Sequence, residues 1–339
     1  EPARMATHWW AAGQWARAGE QFERAARRAR QAARLADARE FWQRAIEAHT
    51  RAGAAQAAFR ARLDGMDVLI FTDGVEAAAT LAGRLVEEAP DDAARARAHV
   101  VCAQVAIVAG DAMRALTLAQ EALRGAQAVG DRCAALDAKR QIGLSTALIG
   151  RAEEAVDWLR RWLPQVEQEG TLEQRREHLA ALAYALNSAD RPSHSAEVLQ
   201  QVCALAQASG DFAELMSSTS NRATALSALG RADEALRHGQ DALRLLDRLG
   251  DSTGLQPTVT LMNSGVFAMQ VGHYRDAIAA LETAAERLRA QGGPMWGDAC
   301  ANHLAALWLT IGQHHRAAAL LAAPPSSDVG QMLARREAL

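Results

Sequence analysis

Gly110, Gly150, Asp190, Gly230, Gly272 and Gly312 stand 40, 40, 40, 42 and 40 residues apart. A second series, Gly130, Gly170, Gly210, Gly250 and Gly292, runs between them at 40, 40, 40 and 42. Residues of this kind end helices, so two interleaved series spell a repeated helix-turn-helix unit. Each unit of such an array packs on its neighbours alone, which lets 339 residues fold without one large core. Stacked helix pairs also leave a long concave face, the surface on which such chains bind partners.

The positions on either side of each turn carry the same register. Seven residues before and five after the turn stand Ala103 and Ala115, Gly143 and Ala155, Ala183 and Ser195. The series continues as Ala223 and Ala235, Gly265 and Ala277, Ala305 and Ala317. All are small, as required where two helix axes of a hairpin approach to about 8–10 Å. In Gly110-Asp111, Gly130-Asp131, Gly210-Asp211 and Gly250-Asp251, the glycine suits a left-handed helix end. The aspartate suits the cap of the next helix.

These signals predict helices over 91–109, 112–129, 131–149, 152–169, 172–188, 192–209, 211–229, 232–249, 256–271, 274–290, 294–311 and 313–323. Pro294 fits a first helical turn, and Pro164 is expected to end or kink its helix. Upstream, Ala33–Thr50 and Asp73–Glu88 read as second helices of looser hairpins. The expected organisation is irregular hairpins over 1–90 and a regular array over 91–323. Residues 324–339 form a linker and the start of a further helix at Val329.

Composition narrows the function classes. A net charge of −3 supplies no global attraction to nucleic acid or to an anionic membrane. No apolar run approaches the roughly 20 residues of a membrane span. Cys102, Cys133, Cys203 and Cys300 lie far apart without CxxC spacing, which fits a reduced, cytoplasmic protein and neither a disulfide framework nor a zinc site. The chain begins Glu1-Pro2, with its first Met at position 5, and reads as part of a longer polypeptide.

"NRATALSALGRADEALRHGQDAL" (221–243) and "NSGVFAMQVGHYRDAIAALETA" (263–284) resemble the tetratricopeptide repeat (TPR) family in their small–Gly–Ala phasing. The resemblance covers about 15–323 and implies an all-α, right-handed superhelical solenoid of antiparallel helix pairs, here with repeats of about 40 residues instead of 34. The opening, "MATHWWAAGQWARAGEQFERAARRARQAARLADAREFWQRAIEAH" (5–49), is similar to a segment of large bacterial signal-transducing ATPases of the MalT/LuxR-like and AfsR-like kinds. That likeness implies a region that senses an inducer or partner, with a nucleotide-binding module upstream in the same polypeptide.

Candidate site residues follow from the phase. Nine residues before each turn stand Val101, Gln141, Ala181, Asn221, Asn263 and His303. In TPR proteins that bind extended peptides this inward position commonly carries Asn, whose amide both donates and accepts. Tyr184 and Thr224 lie three residues further on and would face the same groove. The other reading is that these side chains are solvated or bond neighbouring helices. Arg97, Arg140 and Lys139, the only lysine, stand near the N-terminal end of the row as an anion clamp or a solvated face.

The N-terminal region carries two further features. A basic stripe, Arg24, Arg27, Arg28, Arg30 and Arg34, lacks interleaved aromatics, so it reads as an exposed face or an interface, not a nucleic-acid contact. Trp9 and Trp10 are expected to be exposed and to meet a neighbouring module.

Catalytic patterns are wanting. Gly250-Asp251-Ser252-Thr253-Gly254 fits G-x-S-x-G, but a helix and no strand precedes it, so the match is chance. His314 and His315 are adjacent and point in different directions on a helix. Lys139 lacks the glycine frame of a P-loop. The expectation is therefore no enzyme, metal or cofactor. The partner expected is a peptide or protein segment, or a small inducer, and the alternative is a stand-alone scaffold for complex assembly.

Overall fold

A computed structural model describes residues 2–32, 34–249, 255–291 and 294–322. Among them lie eighteen α-helices. The first six are α1 (Pro2–Ala11), α2 (Trp15–Gln31), α3 (Leu35–Arg51), α4 (Ala55–Asp64), α5 (Met66–Thr72) and α6 (Val75–Glu87). The regular array follows as α7 (Asp92–Val108) with α8 (Ala112–Val129), α9 (Arg132–Leu148) with α10 (Ala152–Glu169), and α11 (Leu172–Ser188) with α12 (Pro192–Ser209). It continues with α13 (Phe212–Ala228) and α14 (Ala232–Leu249), α15 (Leu255–Gln270) and α16 (Tyr274–Gln291), and α17 (Pro294–Thr310) and α18 (His314–Leu321). These bounds fall within two residues of those predicted, and α3 and α6 lie where second helices are expected.

The turns work as their chemistry demands. Gly110, Gly130, Gly150, Gly210, Gly230, Gly272 and Gly312 all have positive φ, and Asp190 takes the same place at φ 58°. Asp91, Asp111, Asp131 and Asp211 each accept a hydrogen bond from the backbone N–H three residues on. Gly170 departs from its series: its backbone is extended, and Thr171 caps α11 reciprocally with Gln174. Pro164 neither ends nor breaks α10. It lies on the exposed side of the helix, as does Arg160, whose carbonyl loses its partner, so water can satisfy that oxygen. Gly250–Gly254 and Val329–Leu339 lie outside the described residues.

Every small residue of the crossing register is buried. Within a hairpin the second contact, sixteen residues on, adjusts to the first. Gly143 faces Leu159 and Gly265 faces Leu281, where an added Cβ would come within 2.4 and 2.8 Å of the leucine. Ala103 packs with Ala119 instead. Gly239 leaves space for Phe267 of the following repeat, 2.7 Å from where a Cβ would stand. The volume at the crossing is thus shared differently in each repeat.

First helices contact the next first helix at α7–α9, α9–α11, α13–α15 and α15–α17, more loosely at α11–α13, whereas no two successive second helices make comparable contact among the described residues. Between α8 and α10 a cleft of about 770 Å³ opens over Leu116, Leu123, Ile142 and Trp158. The array therefore curves with its first helices inward. It curves far enough to return on itself. Phe71 of α5 and Val108 of α7 pack against the C-terminal cluster of Leu281, Leu304 and Trp308, and Trp296 of α17 packs against that of Ala106, Ile107 and Ala112. The α2 helix contacts α13 across the inner side.

Candidate functional site

Buried polar side chains collect on the inner layer. In the array these are Lys139, Gln141, Ser145 and Thr146 on α9, Gln174, Arg176 and His178 on α11, Ser218 and Ser220 on α13, and Thr258, Thr260 and Ser264 on α15. Among the described residues of the array, Ser195 is the sole buried polar residue on a second helix. It donates to the Ala183 carbonyl at 2.8 Å, inside its own hairpin.

The predicted row divides. Asn221 is exposed, Val101 and His303 are half-buried, and Ala181 is buried. Tyr184, one turn along, keeps 37% of its surface exposed. Asn263 is committed to the neighbouring helix, its Nδ2 donating to Ser220 Oγ at 3.1 Å. Thr224 Oγ1 donates to the Ser220 carbonyl at 3.3 Å. Gln141 does not open to the groove at all: it is 1% exposed, and neither amide atom has a hydrogen-bond partner. Burial holds the His303 imidazole below its usual range, so it stays neutral.

The cationic candidates also separate. Lys139 turns away from the row toward α10, where Nζ donates to Gln165 Oε1 at 2.7 Å and sits 3.5 Å from the Trp162 ring centroid. The Trp158 indole donates to the Lys139 carbonyl at 2.8 Å, so this lysine is neither solvated nor an anion clamp. Arg97 pairs with Asp131 at 2.7 Å and Arg140 with Glu177 at 3.1 Å. The basic stripe is largely neutralised within the chain. Arg27 pairs with Glu23 and Asp64, Arg34 with Asp37, and Arg30 with Asp67 and Glu173.

Trp9 and Trp10 are half-buried against the Ala6, Ala18 and Phe22 cluster, contrary to the expectation of exposed rings. Trp10 meets Trp15 edge-on at 5.0 Å and Phe22 at 6.0 Å, while Arg51 covers Trp10 and Arg17 covers Trp9. A neighbouring module was not needed to explain them: α1 packs on the α2–α3 hairpin.

What the sequence did not single out is a charged cluster on the inner side. Glu173 Oε1 accepts from Arg30 Nη2 at 2.6 Å and lies 3.9 Å from Arg176 Nη2, and Arg176 Nη1 lies 3.0 Å from Asp211. Gln174 Nε2 donates to Asp137 Oδ1 at 2.9 Å. Burial pushes the carboxyls of Asp67 and Asp137 up to about 6, with Arg30 and Arg140 respectively opposing it. Burial pushes Glu214 up to about 7, against Arg176 and with Asp211 adding repulsion. One signal for this cluster existed in the sequence: Arg97, Asp137 and Glu177 repeat at 40 residues and so share one phase of the inner helices.

Beside the cluster lies a cavity of about 190 Å³ bounded by Asp64, Arg97, Val101, Cys133 and Asp137. Cys133 is exposed at the rim, and partial burial together with Asp137 raises its thiol above the usual range. No group of three His, Cys, Asp or Glu among the described residues has metal-holding geometry, and no described helix is long and apolar enough to cross a membrane.

The raised carboxyls set a pH dependence. Their folded pKa values exceed the unfolded ones, so the folded state binds more protons, and stability falls as pH rises from the unfolded values through about 6–7. The carboxyls by themselves raise the melting temperature at pH 6 over pH 8, against the opposite pull of the His99, His178, His238 and His303 imidazoles, which burial holds low. Replacing Asp137 with Asn and Glu214 with Gln should flatten that slope, and an unchanged slope would place the effect elsewhere.

The fold is that of the TPR-like solenoids. The chain is similar to a Rap protein crystallised with competence and sporulation factor, at a TM-score of 0.60 and 11% identity, covering 90% of this chain and 94% of that one. It is similar to NprR in complex with its cognate peptide NprX, at 0.60 and 11%, covering 78% and 76%. A signal-transduction ATPase with a tetratricopeptide repeat sensor from Pyrococcus horikoshii matches at 0.50 and 14%, over 85% of this chain and 43% of that one. No protein-family profile matches the sequence, and no curated protein matches it.

Proposed function

We propose that the chain is a binding and sensing solenoid that takes a peptide or protein segment on its concave side, within a larger cytoplasmic bacterial regulator. The observation that carries this reading is the placement of polarity. The inner helices bury unpartnered polar atoms, Gln141 Oε1 and Nε2 foremost, where a packed scaffold would place apolar side chains. The solved complexes of similar fold supply precedent, since the Rap protein holds competence and sporulation factor and NprR holds its cognate peptide NprX. Asn221, Tyr184 and His303 are the row members that would meet the ligand, and an upstream nucleotide-binding module belongs to the same proposal.

A second reading, a scaffold using its outer surface, is favoured by the cleft between α8 and α10. The two are separated by screening the chain against an immobilised peptide library and titrating the strongest hit. Asn221→Ala is expected to weaken that hit by about 0.5–1.5 kcal/mol, the net worth of one hydrogen bond, without changing the melting temperature. Leu123→Asp, in the outer cleft, should leave it unaltered. The reverse pattern would assign binding to the outer face.

A further inference from the structure

The outer cleft between α8 and α10 has the shape of a seat for a third helix. Its α8 wall carries Leu116, Gln120, Leu123 and Gln127, and its α10 wall carries Arg151, Glu154, Trp158 and Arg161. Both sets step by three or four residues, so each is one continuous stripe of its helix. From Leu116 to Gln127 the wall runs about 16 Å at 1.5 Å per residue, close to three helical turns. Two such stripes side by side, on helices that hardly touch each other, make a groove and not a pit.

The floor is apolar, and its polar groups are already paired. Ile142 and Thr146, one turn apart on α9, close it from below, and Thr146 Oγ1 donates to the Ile142 carbonyl at 2.7 Å. With its N–H donated to the Lys139 carbonyl, the Trp158 indole offers the cleft only its ring. A polar small molecule would find no group there to fix its orientation.

Charge is confined to the rim, where Arg124, Arg151 and Arg161 stand with Glu154 and Asp157. Arg151 lies 3.9 Å from Glu154. Arg124, Arg161 and Asp157 form no ion pair among the described residues, and the α8 wall has no carboxylate of its own. The rim is therefore net positive. Arg124 and Arg161 both lie past the middle of their helices, and α8 and α10 run in the same direction as second helices of successive hairpins, so the uncommitted guanidinium groups gather toward one end of the groove.

We propose that this groove docks an amphipathic helix of a partner protein, lying antiparallel to α8 and α10 and carrying acidic side chains in its first turn. Its apolar stripe covers Leu116, Leu123, Ile142 and Trp158, the helix-in-groove mode of recognition. The antiparallel direction brings its N-terminus to Arg124 and Arg161. Acidic residues stabilise a helix N-terminus, so the carboxylates that favour the partner helix are the ones that meet the unpaired arginines. The opposite direction would bring its negative end to a place where α8 and α10 already present theirs. This second site lies on the outer layer and stands whether or not the concave face binds a peptide.

The test is fluorescence anisotropy of the whole chain with three labelled, helix-stapled peptides of about three turns. One carries a leucine stripe and two glutamates in its first turn, one has lysines in place of those glutamates, and one has the first sequence scrambled. The acidic peptide is expected to bind, with the other two at least about ten-fold weaker, and its affinity should fall as salt rises. Leu123→Asp should weaken it about ten-fold or more. Arg124→Glu combined with Arg161→Glu should reverse the preference, so that the lysine peptide binds the more tightly, a result that a merely structural role for two exposed arginines does not produce. No binding, equal affinity for the three peptides, or a preference unaltered by the double reversal in a chain of unchanged circular dichroism overturns the proposal. Binding lost in Asn221→Ala but kept in Leu123→Asp overturns it too, and leaves the concave-face reading in place. Light scattering that shows a dimer dissociated by Leu123→Asp would give the groove to a second copy of the chain, and laurate binding there in place of the peptide would make it a site for small amphiphiles. Either result overturns the partner helix.

Discussion

Replacing Arg176 with Met is expected to destabilise the protein by about 3–5 kcal/mol, the scale of breaking a buried ion pair from one side. The cost lies less in the lost attraction than in what remains. Asp211 is 1% exposed, and without Arg176 Nη1 at 3.0 Å its carboxylate keeps one hydrogen bond, from the Glu214 backbone N–H, and faces the Glu214 carboxyl. A buried carboxylate so placed must either stay charged at high cost or take up a proton. Removing both charges should be far milder. Asp211→Asn keeps an oxygen able to cap α13, and Arg176→Met keeps most of the side-chain volume, so the double variant should recover a large part of the loss.

Because repeats couple chiefly to their neighbours, the single variant should loosen α11 to α13 before the whole array unfolds. Urea denaturation combined with amide hydrogen exchange reads both effects. Protection lost first over 172–228 is the expected pattern. A melting curve unchanged by Arg176→Met would mean that water reaches Asp211, and the ion pair would then carry little stability.

The contrast between fold and site shows what a repeat sequence discloses. Helix ends are written locally: Gly210 must have positive φ and Asp211 must cap, and both facts depend on a few adjacent residues. The hairpin crossing is nearly as local, since Gly143 and Ala155 lie twelve residues apart and both are buried small residues. The path of the superhelix is not local. Arg30 meets Glu173 only because the array curves enough to bring α2 against α11 and α13, and that curvature sums many small rotations that no single repeat encodes.

The groove row is defined by its phase alone, and phase fixes which way a residue points, not what covers it. Gln141 and Asn221 occupy equivalent positions, yet one is buried without a partner and the other is exposed. Trp9 and Trp10 follow the same logic: their number near one end signalled an uncovered surface, but α1 had already covered part of it by folding onto its own hairpin.

Gly143→Val is the second substitution expected to act strongly, with a loss of about 3 kcal/mol, the upper end of the overpacking range. A Cβ at this position would lie 2.4 Å from both Cγ and Cδ2 of Leu159, which is itself 0% exposed and has no room to withdraw. Either the α9–α10 hairpin opens or Leu159 is forced off its rotamer, and each outcome disturbs the Val156 and Leu182 cluster beside it. Alanine at 143 isolates the steric term, because it gains about 1 kcal/mol of helix propensity over glycine and should still destabilise. The structure also contains its own remedy. One repeat earlier the same two positions are Ala103 and Ala119, both 0% exposed in a close-packed hairpin. Gly143→Ala combined with Leu159→Ala copies that pair and should cost less than the sum of the two single changes, by about 1 kcal/mol or more for residues in direct contact. Thermal denaturation of the four proteins in the cycle measures the difference directly, and strict additivity would show that the crossing is not set by contact between these two residues.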